Sequence, residues 1–176
     1  MNRKLLIRFR ATSQLPMADL ALKQLIRAAV SRTLDAERFP YDAEVSVTLC
    51  DNAYIHALNR KFRGVDRPTD VLSFPLYEDG EFDMTECIEG AVLGDVVISL
   101  ERAAEQAAEL CHSAREEVAF LTVHSVLHLL GYDHELSPEE EERQCERQRL
   151  IMKELRESEP MLRTAEEQDI KAKAER

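Results

Sequence analysis

The spacing of hydrophobic and polar residues predicts secondary-structure elements in the order β-α-β-α-β-β-α-α-α. Polar and apolar residues alternate strictly over 44–49, which is typical of a half-buried strand. Short apolar runs predict three further strands, at 5–9, 71–74 and 91–99. Apolar residues that recur on one helical face, or that fill all faces, predict helices over about 16–34, 52–63, 101–111, 113–130 and 137–157.

Residues at the ends of these segments support the predicted boundaries. Asp51 is a good N-cap for the second helix, and Gly64 is a natural stop after its last residue. Ser113 and Ser137 each stand three residues before a glutamate, which is the pattern of a capping box. The fourth helix is apolar nearly all round over 118–130, so we expect it to be central and buried.

The element order predicts an α+β fold, in which a small mixed β-sheet of about four strands packs with about five helices. Gly94 in the last strand indicates a bulge or a close approach of two backbones. Residues 1–160 are expected to form a single domain, and 161–176 are expected to be a polar, frayed tail. The acidic stretch 76–90 has little periodicity and is predicted to be a mobile loop.

The composition narrows the class of protein. The chain has 176 residues, the usual size of one domain, and 44% of them are hydrophobic. No apolar run approaches the roughly 20 residues that cross a bilayer, and the N-terminus does not resemble a signal peptide, so we expect a cytoplasmic protein outside the membrane. None of the four cysteines lies in a C-x-x-C pair, and we expect reduced, mostly buried thiols without a disulfide-linked partner.

The net charge of -11 argues against a protein that coats nucleic acid, because binding to phosphates needs cations. The charge is patterned, however. Residues 1–34 hold seven Lys or Arg and one Asp, whereas 76–90 hold six acids and no base. Residues 59–67 hold four Lys or Arg and one Asp. A local basic site is therefore compatible with the acidic total.

Three of the five histidines fall within eleven residues, at His124, His128 and His134. The first two are four residues apart and share one face of the predicted buried helix, while Gly131 permits a turn that returns the third towards them. Three imidazoles leave the fourth position of a tetrahedral zinc ion open, as in a catalytic site. The alternative is two core histidines and one surface histidine. We predict a site for one Zn²⁺ ion per chain, which nickel or copper would also fit.

The spacing H-x-x-x-H-x-x-G-x-x-H is also that of the metzincin proteases. Their motif places a glutamate directly after the first histidine, where it acts as general base. This chain has Ser125 at that position, and a serine is no base near neutral pH. The substitution argues against a peptidase. His56 and His112 lack ligand spacing, and we interpret them as ordinary surface or boundary histidines.

A second candidate segment spans 58–75, where a basic helix end leads through a turn into a strand. Arginine binds phosphate oxygens through a planar fork, but cations at a helix C-terminus also suit the helix dipole. From the residues alone, both interpretations of this cluster stay open. Ser73 is a candidate lining residue of a cleft or simply a strand residue.

Together the two segments resemble the YbeY family of bacterial single-strand-specific endoribonucleases, also described as rRNA maturation factors. The resemblance covers most of the chain from Glu44 to the histidine cluster, and little of the first 40 residues or the tail. The residues that carry it are Leu58-Asn59, Phe62-Arg63-Gly64, Thr69-Asp70-Val71-Leu72-Ser73-Phe74-Pro75, Leu93-Gly94-Asp95-Val96-Val97-Ile98-Ser99 and the run from His124 to His134.

The resemblance implies zinc held by His124, His128 and His134, and an arginine important for activity at Arg63. It also implies a role in ribosomal RNA processing, notably at the 3′ end of the small-subunit species, and in ribosome quality control. The implied partners are single-stranded RNA, ribosomal RNA and the small ribosomal subunit.

These observations lead to the hypothesis of metal-assisted cleavage of RNA, in which Arg63 stabilises the extra negative charge of the transition state. Asp133 is a candidate for orienting a ligand imidazole, or a solvent-facing turn residue. Two other functions stay open. One is a metal-dependent peptidase, and the other is a non-catalytic ribosome-assembly factor in which the metal is structural.

Overall fold

The computed structural model describes residues 3–12, 15–77, 90–132 and 137–162. Most of the predicted acidic loop and of the predicted tail lies outside these ranges. The elements are β1 (Leu5–Ala11), α1 (Leu20–Ala36), β2 (Ala43–Cys50), α2 (Asn52–Arg63), β3 (Val71–Pro75), β4 (Ala91–Ser99), α3 (Leu100–Glu109), α4 (Ala114–Leu129), α5 (Pro138–Ser158) and a short 3₁₀ helix (Pro160–Leu162).

The strands of the described ranges form one mixed sheet in the order β1-β2-β4-β3. β1, β2 and β4 run parallel, and β3 is antiparallel to β4 at the sheet edge. The predicted α+β class, with four strands and five α-helices in the described ranges, is confirmed. Alternation also holds within β2, where Val45 and Val47 are buried and Ser46 between them is half-buried.

The two faces of the sheet carry different cores. In β4, Val96 and Ile98 belong to the main core, which is shared with α1, α4 and α5. Val97 between them points to the other face and joins a small cluster with Ile55 of α2 and Leu72 of β3. The sheet therefore separates α2 from the large helical layer.

Gly94 lies at a bulge and at a close backbone approach, as its position in the strand predicted. The register of β2 against β4 shifts at this point, because consecutive residues of β2 pair with Val92 and Gly94. The φ angle of Gly94 is +142°, and a Cβ atom there would lie 2.2 Å from the carbonyl oxygen of Phe74 in β3. The backbone of the edge strand β3 therefore packs directly against the backbone of β4 at Gly94, where a side chain would not fit.

The helix α4 is central, as its apolar composition predicted. It packs against α1, α3, α5, β3 and β4. The predicted caps are also present: Asp51, Ser113 and Ser137 each accept a hydrogen bond from a backbone N–H of the following helix, and Gly64 ends α2 in the left-handed conformation.

Other details differ from the sequence predictions or extend them. Of the cysteines in the described ranges, Cys50 is buried but Cys111 and Cys145 are exposed, so the expectation of mostly buried thiols is wrong for these two. Leu162, two residues beyond the predicted domain limit, is buried in the main core. None of the helices in the described ranges has the length and apolar character that a membrane crossing needs.

Candidate active site

The helix α4 presents His124 and His128 on one face, one turn apart. Their rings pack edge to face with centroids 4.7 Å apart, and their Nε2 atoms are separated by 3.1 Å. The helical repeat alone explains this proximity, because side chains at i and i+4 are neighbours on a helix surface. The predicted juxtaposition of two imidazole donors is therefore present in the fold.

Two glutamines of α5 hold the far side of the His124 ring. Gln148 Oε1 and Gln144 Nε2 each lie 3.3 Å from His124 Nδ1, and both glutamines are buried. In the tautomer whose Nδ1–H donates to Gln148 Oε1, the lone pair of Nε2 faces His128; in the other tautomer Nδ1 accepts from Gln144 Nε2 instead. Gln148 is itself anchored, since its Nε2 donates to the backbone oxygen of Phe120 at 3.1 Å. No pattern in the sequence predicts these partners, because α5 and α4 meet only in the folded chain.

The two histidines lie in a cleft of about 530 Å³ that Arg63 also lines. Arg63 is the last residue of α2 and is exposed. The fold thereby brings together the two candidate segments of the sequence, which are some sixty residues apart. The remaining residues around this cleft are Phe62, Thr69, Asp70, Val71, Leu72, Ser73, Phe74, Phe120 and Leu121.

A second cleft of about 520 Å³ shares Arg63, Thr69 and Asp70 with the first. It adds Arg67 and Arg102 as cations, with Glu105 as a counter-charge paired to Arg102 at 2.7 Å. Because the clefts have residues in common, a ligand in one extends readily into the other. The neighbourhood of Arg63 is thus locally basic within an acidic protein.

Asp70 is fixed by a set of hydrogen bonds at the boundary of the two clefts. Its Oδ1 accepts from the Val71 backbone N–H at 2.8 Å and from the Thr69 hydroxyl at 3.0 Å. Its Oδ2 accepts from Gln106 Nε2 at 3.1 Å. The carboxylate is therefore held rigidly and shapes the turn between α2 and β3.

His112 is not the ordinary boundary histidine that we expected. Its Nε2 lies 2.9 Å from Glu117 Oε2, and Glu117 is only 3% exposed. Burial raises the pKa of Glu117, and His112 acts in the opposite direction. Glu117 lies in the first turn of α4, and a carboxylate buried there needs a partner. His56 fits the expectation better and pairs with exposed Asp66 at 2.8 Å.

Ser125, which stands where the metzincins have a glutamate, is fully buried and does not line the cleft. It faces the core side of α4, whereas His124 and His128 face the cleft. Neither its chemistry nor its position equips it to act as a base at the histidine pair.

The donor atoms in the cleft suit a zinc ion. Two nitrogen ligands of a tetrahedral ion with Zn–N bonds of about 2.0–2.1 Å lie about 3.4 Å apart, close to the 3.1 Å between the two Nε2 atoms. His134 and Asp133 lie outside the described residues. Within the described ranges, no three His, Cys, Asp or Glu side chains form a metal-binding group. The complete ligand set stays a prediction.

Comparison with known proteins decides the family. The model of the family described as Endoribonuclease YbeY matches residues 8–156. The chain belongs to the YbeY endoribonuclease family. This membership confirms the family and the class of enzyme that the motifs predicted.

Individual YbeY relatives agree with this assignment. The chain is 51% identical over 131 residues to Endoribonuclease YbeY of Pelotomaculum thermopropionicum, covering 74% of this chain and 83% of the relative. It is 53% identical over 121 residues to the Endoribonuclease YbeY of Geobacillus thermodenitrificans, covering 68% and 75%. The solution structure of TM1509 from Thermotoga maritima has a TM-score of 0.60 at 28% identity, over 85% of this chain and 89% of that one.

Proposed function

We propose that this protein is a zinc-dependent endoribonuclease that cleaves single-stranded RNA at the cleft between α2 and α4. His124, His128 and His134 would hold the ion, and Arg63 would contact the reacting phosphate. The observation that carries the proposal is that one cleft contains both α4 histidines and Arg63. We further propose that the protein acts in the cytoplasm on ribosomal RNA of the small ribosomal subunit. There it would process the 3′ end of the small-subunit RNA and take part in ribosome quality control.

The residues around the cleft have different proposed roles in RNA cleavage. When bound, the ion supplies Lewis acidity towards a phosphoryl oxygen. Gln148 orients the His124 ring, so that one nitrogen is committed to α5 and the other faces the cleft. The guanidinium of Arg63 can pair with two phosphate oxygens and stabilise the negative charge that builds up in the transition state. RNA carries its own 2′-hydroxyl, which lessens the need for a carboxylate base.

The charge distribution supports a single-stranded substrate confined to one track. Arg67 and Arg102 extend the cationic lining beyond Arg63 in the second cleft. The chain as a whole has a net charge of -11, which repels RNA elsewhere on the surface. Affinity should therefore be modest and should fall as salt concentration rises.

The test compares the metal content and RNA cleavage of four proteins: the wild type, Arg63→Ala, His128→Ala and Arg10→Ala. Arg10 is an exposed arginine of β1, at the sheet edge opposite β3, and serves as the charge-matched control. We expect Arg63→Ala to retain about one metal per chain and lose cleavage, and His128→Ala to lose both. Arg10→Ala should retain both.

Other results would point elsewhere. A metal-free protein that still cleaves RNA would refute the zinc site, and unchanged cleavage by Arg63→Ala would remove Arg63 from the mechanism. Cleavage of unstructured peptides by the wild type would indicate a peptidase. RNA binding without cleavage, retained in a folded His128→Ala protein, would indicate an assembly factor.

A further inference from the structure

Of the five phenylalanines in the part of the chain that the structure describes, three line the histidine cleft, and two of these are unusually exposed. Phe62 is 55% exposed and Phe120 is 43% exposed, whereas Phe39 in the main core is 5% exposed. Large aromatic rings left in water lose the free energy that burial would provide, so their concentration at one cleft calls for a ligand.

Phe120 stands beside the predicted metal ligands. It lies four residues before His124 and eight before His128, so the three side chains follow one face of α4. Its backbone is anchored to α5, because the carbonyl oxygen of Phe120 accepts the hydrogen bond from Gln148. The backbone of Phe120 is therefore held at a defined position along the cleft.

Phe62 stands beside the predicted phosphate ligand. It immediately precedes Arg63, and its ring packs edge to face on Phe74 with centroids 5.3 Å apart. The ammonium of Lys61 lies 4.8 Å from the centroid of the Phe62 ring. The cleft thus combines exposed rings with neighbouring cations, the combination by which proteins bind single-stranded nucleic acid.

We propose that Phe120 and Phe62 are stacking sites for nucleobases that flank the cleaved phosphodiester, with Phe74 supporting the Phe62 ring. This inference rests on the proposed function and adds the origin of its strand preference. In a duplex both faces of each base are already stacked and its edge is paired, so these rings can receive only unpaired bases. The Arg63 and histidine side chains, which line the same cleft, would then meet the phosphate.

The test uses short single-stranded RNA with a mapped cleavage site, and matched RNA in which the nucleotide on one side of that site is abasic. The proteins are the wild type, Phe120→Leu, Phe62→Leu and Phe120→Tyr. Leucine keeps an apolar side chain but removes the ring, and tyrosine restores the ring. Leu150→Ala, at a 47% exposed leucine of α5, controls for the loss of exposed apolar surface.

We expect Phe120→Leu or Phe62→Leu to lower kcat/KM on intact RNA by about 5- to 150-fold, the range for one base stacked on an aromatic ring. On RNA that is abasic at the matching position, the same variant should cleave as well as the wild type. Phe120→Tyr keeps the aromatic ring and should lose much less activity on intact RNA than Phe120→Leu, and Leu150→Ala should behave like the wild type on both substrates. Metal content should be unchanged throughout.

Two results would overturn the inference. One is unchanged kcat/KM on intact RNA in both leucine variants, and the other is an equal loss on intact and abasic RNA, which indicates a merely structural role. Should the wild type cleave no RNA at all, the proposed function fails, and binding of RNA that carries 2-aminopurine decides the stacking separately. Fluorescence quenching by the wild type but not by Phe120→Leu then supports the stacking site, and equal quenching refutes it.

Discussion

Replacing Gly94 by alanine tests how β3 and β4 are packed at the back of the cleft. A Cβ atom at this position would lie 2.2 Å from the Phe74 carbonyl oxygen and 3.1 Å from Leu129 Cδ2, whereas ordinary contacts are 3.4–4 Å. Phe74 lines the cleft, and Leu129 follows His128 on α4. The backbone of β3 would have to move by more than an ångström, which disturbs its pairing with β4.

The expected loss of folding stability in Gly94→Ala follows from two features of the structure. Gly94 has φ of +142°, a conformation that costs other residues about 1–3 kcal/mol. Forcing a methyl group into a closed contact adds about 1–3 kcal/mol. The free energy of unfolding should therefore fall by about 2–6 kcal/mol, which lowers the melting temperature of a chain of this size by about 6–18 °C.

Gly64→Ala is the matched control. Gly64 also has a positive φ, of +69°, but a Cβ atom there would have nothing within 4 Å. Only the left-handed conformation is penalised, at about 1–2 kcal/mol or about 3–6 °C. Melting curves followed by circular dichroism give both values. Equal losses in the two variants would refute the close approach of the β3 and β4 backbones.

Three further predictions concern single side chains. Gln148→Leu should weaken Zn²⁺ binding about tenfold in a chelator competition, because the His124 ring loses its acceptor; an affinity equal to that of the wild type would contradict this role. Asp19 caps α1 and pairs with an arginine of α4, which lowers the pKa of Asp19 from 3.8 to about 2. The stabilisation by the ionised Asp19 should be complete above about pH 4 and lost as the pH falls towards 2. The melting temperature of the wild type should therefore drop more steeply over this range than that of Asp19→Asn, which keeps the cap. Parallel melting curves would count against the ion pair of Asp19 with the α4 arginine. Burial raises the pKa of the Cys50 thiol to about 12. Peptide mapping after alkylation should therefore find exposed Cys111 modified long before Cys50. Simultaneous modification of the two cysteines would contradict the burial of Cys50.

The local features of this protein could be read from its residues. Alternation in β2, the capping serines and Gly64 depend on neighbours within a few positions, so their spacing predicts where elements begin and end. The same holds for His124 and His128, since one helical turn brings i and i+4 together without help from the rest of the fold. The family motifs added the enzyme class.

The composition of the cleft was decided by tertiary structure. Arg63 and the two histidines line one cleft because β3 inserts antiparallel at the edge of the sheet, and Gln148 contacts His124 because α5 packs across α4. Such contacts join residues whose separation along the chain carries no period or motif. Only the burial of a shared core determines which of them meet.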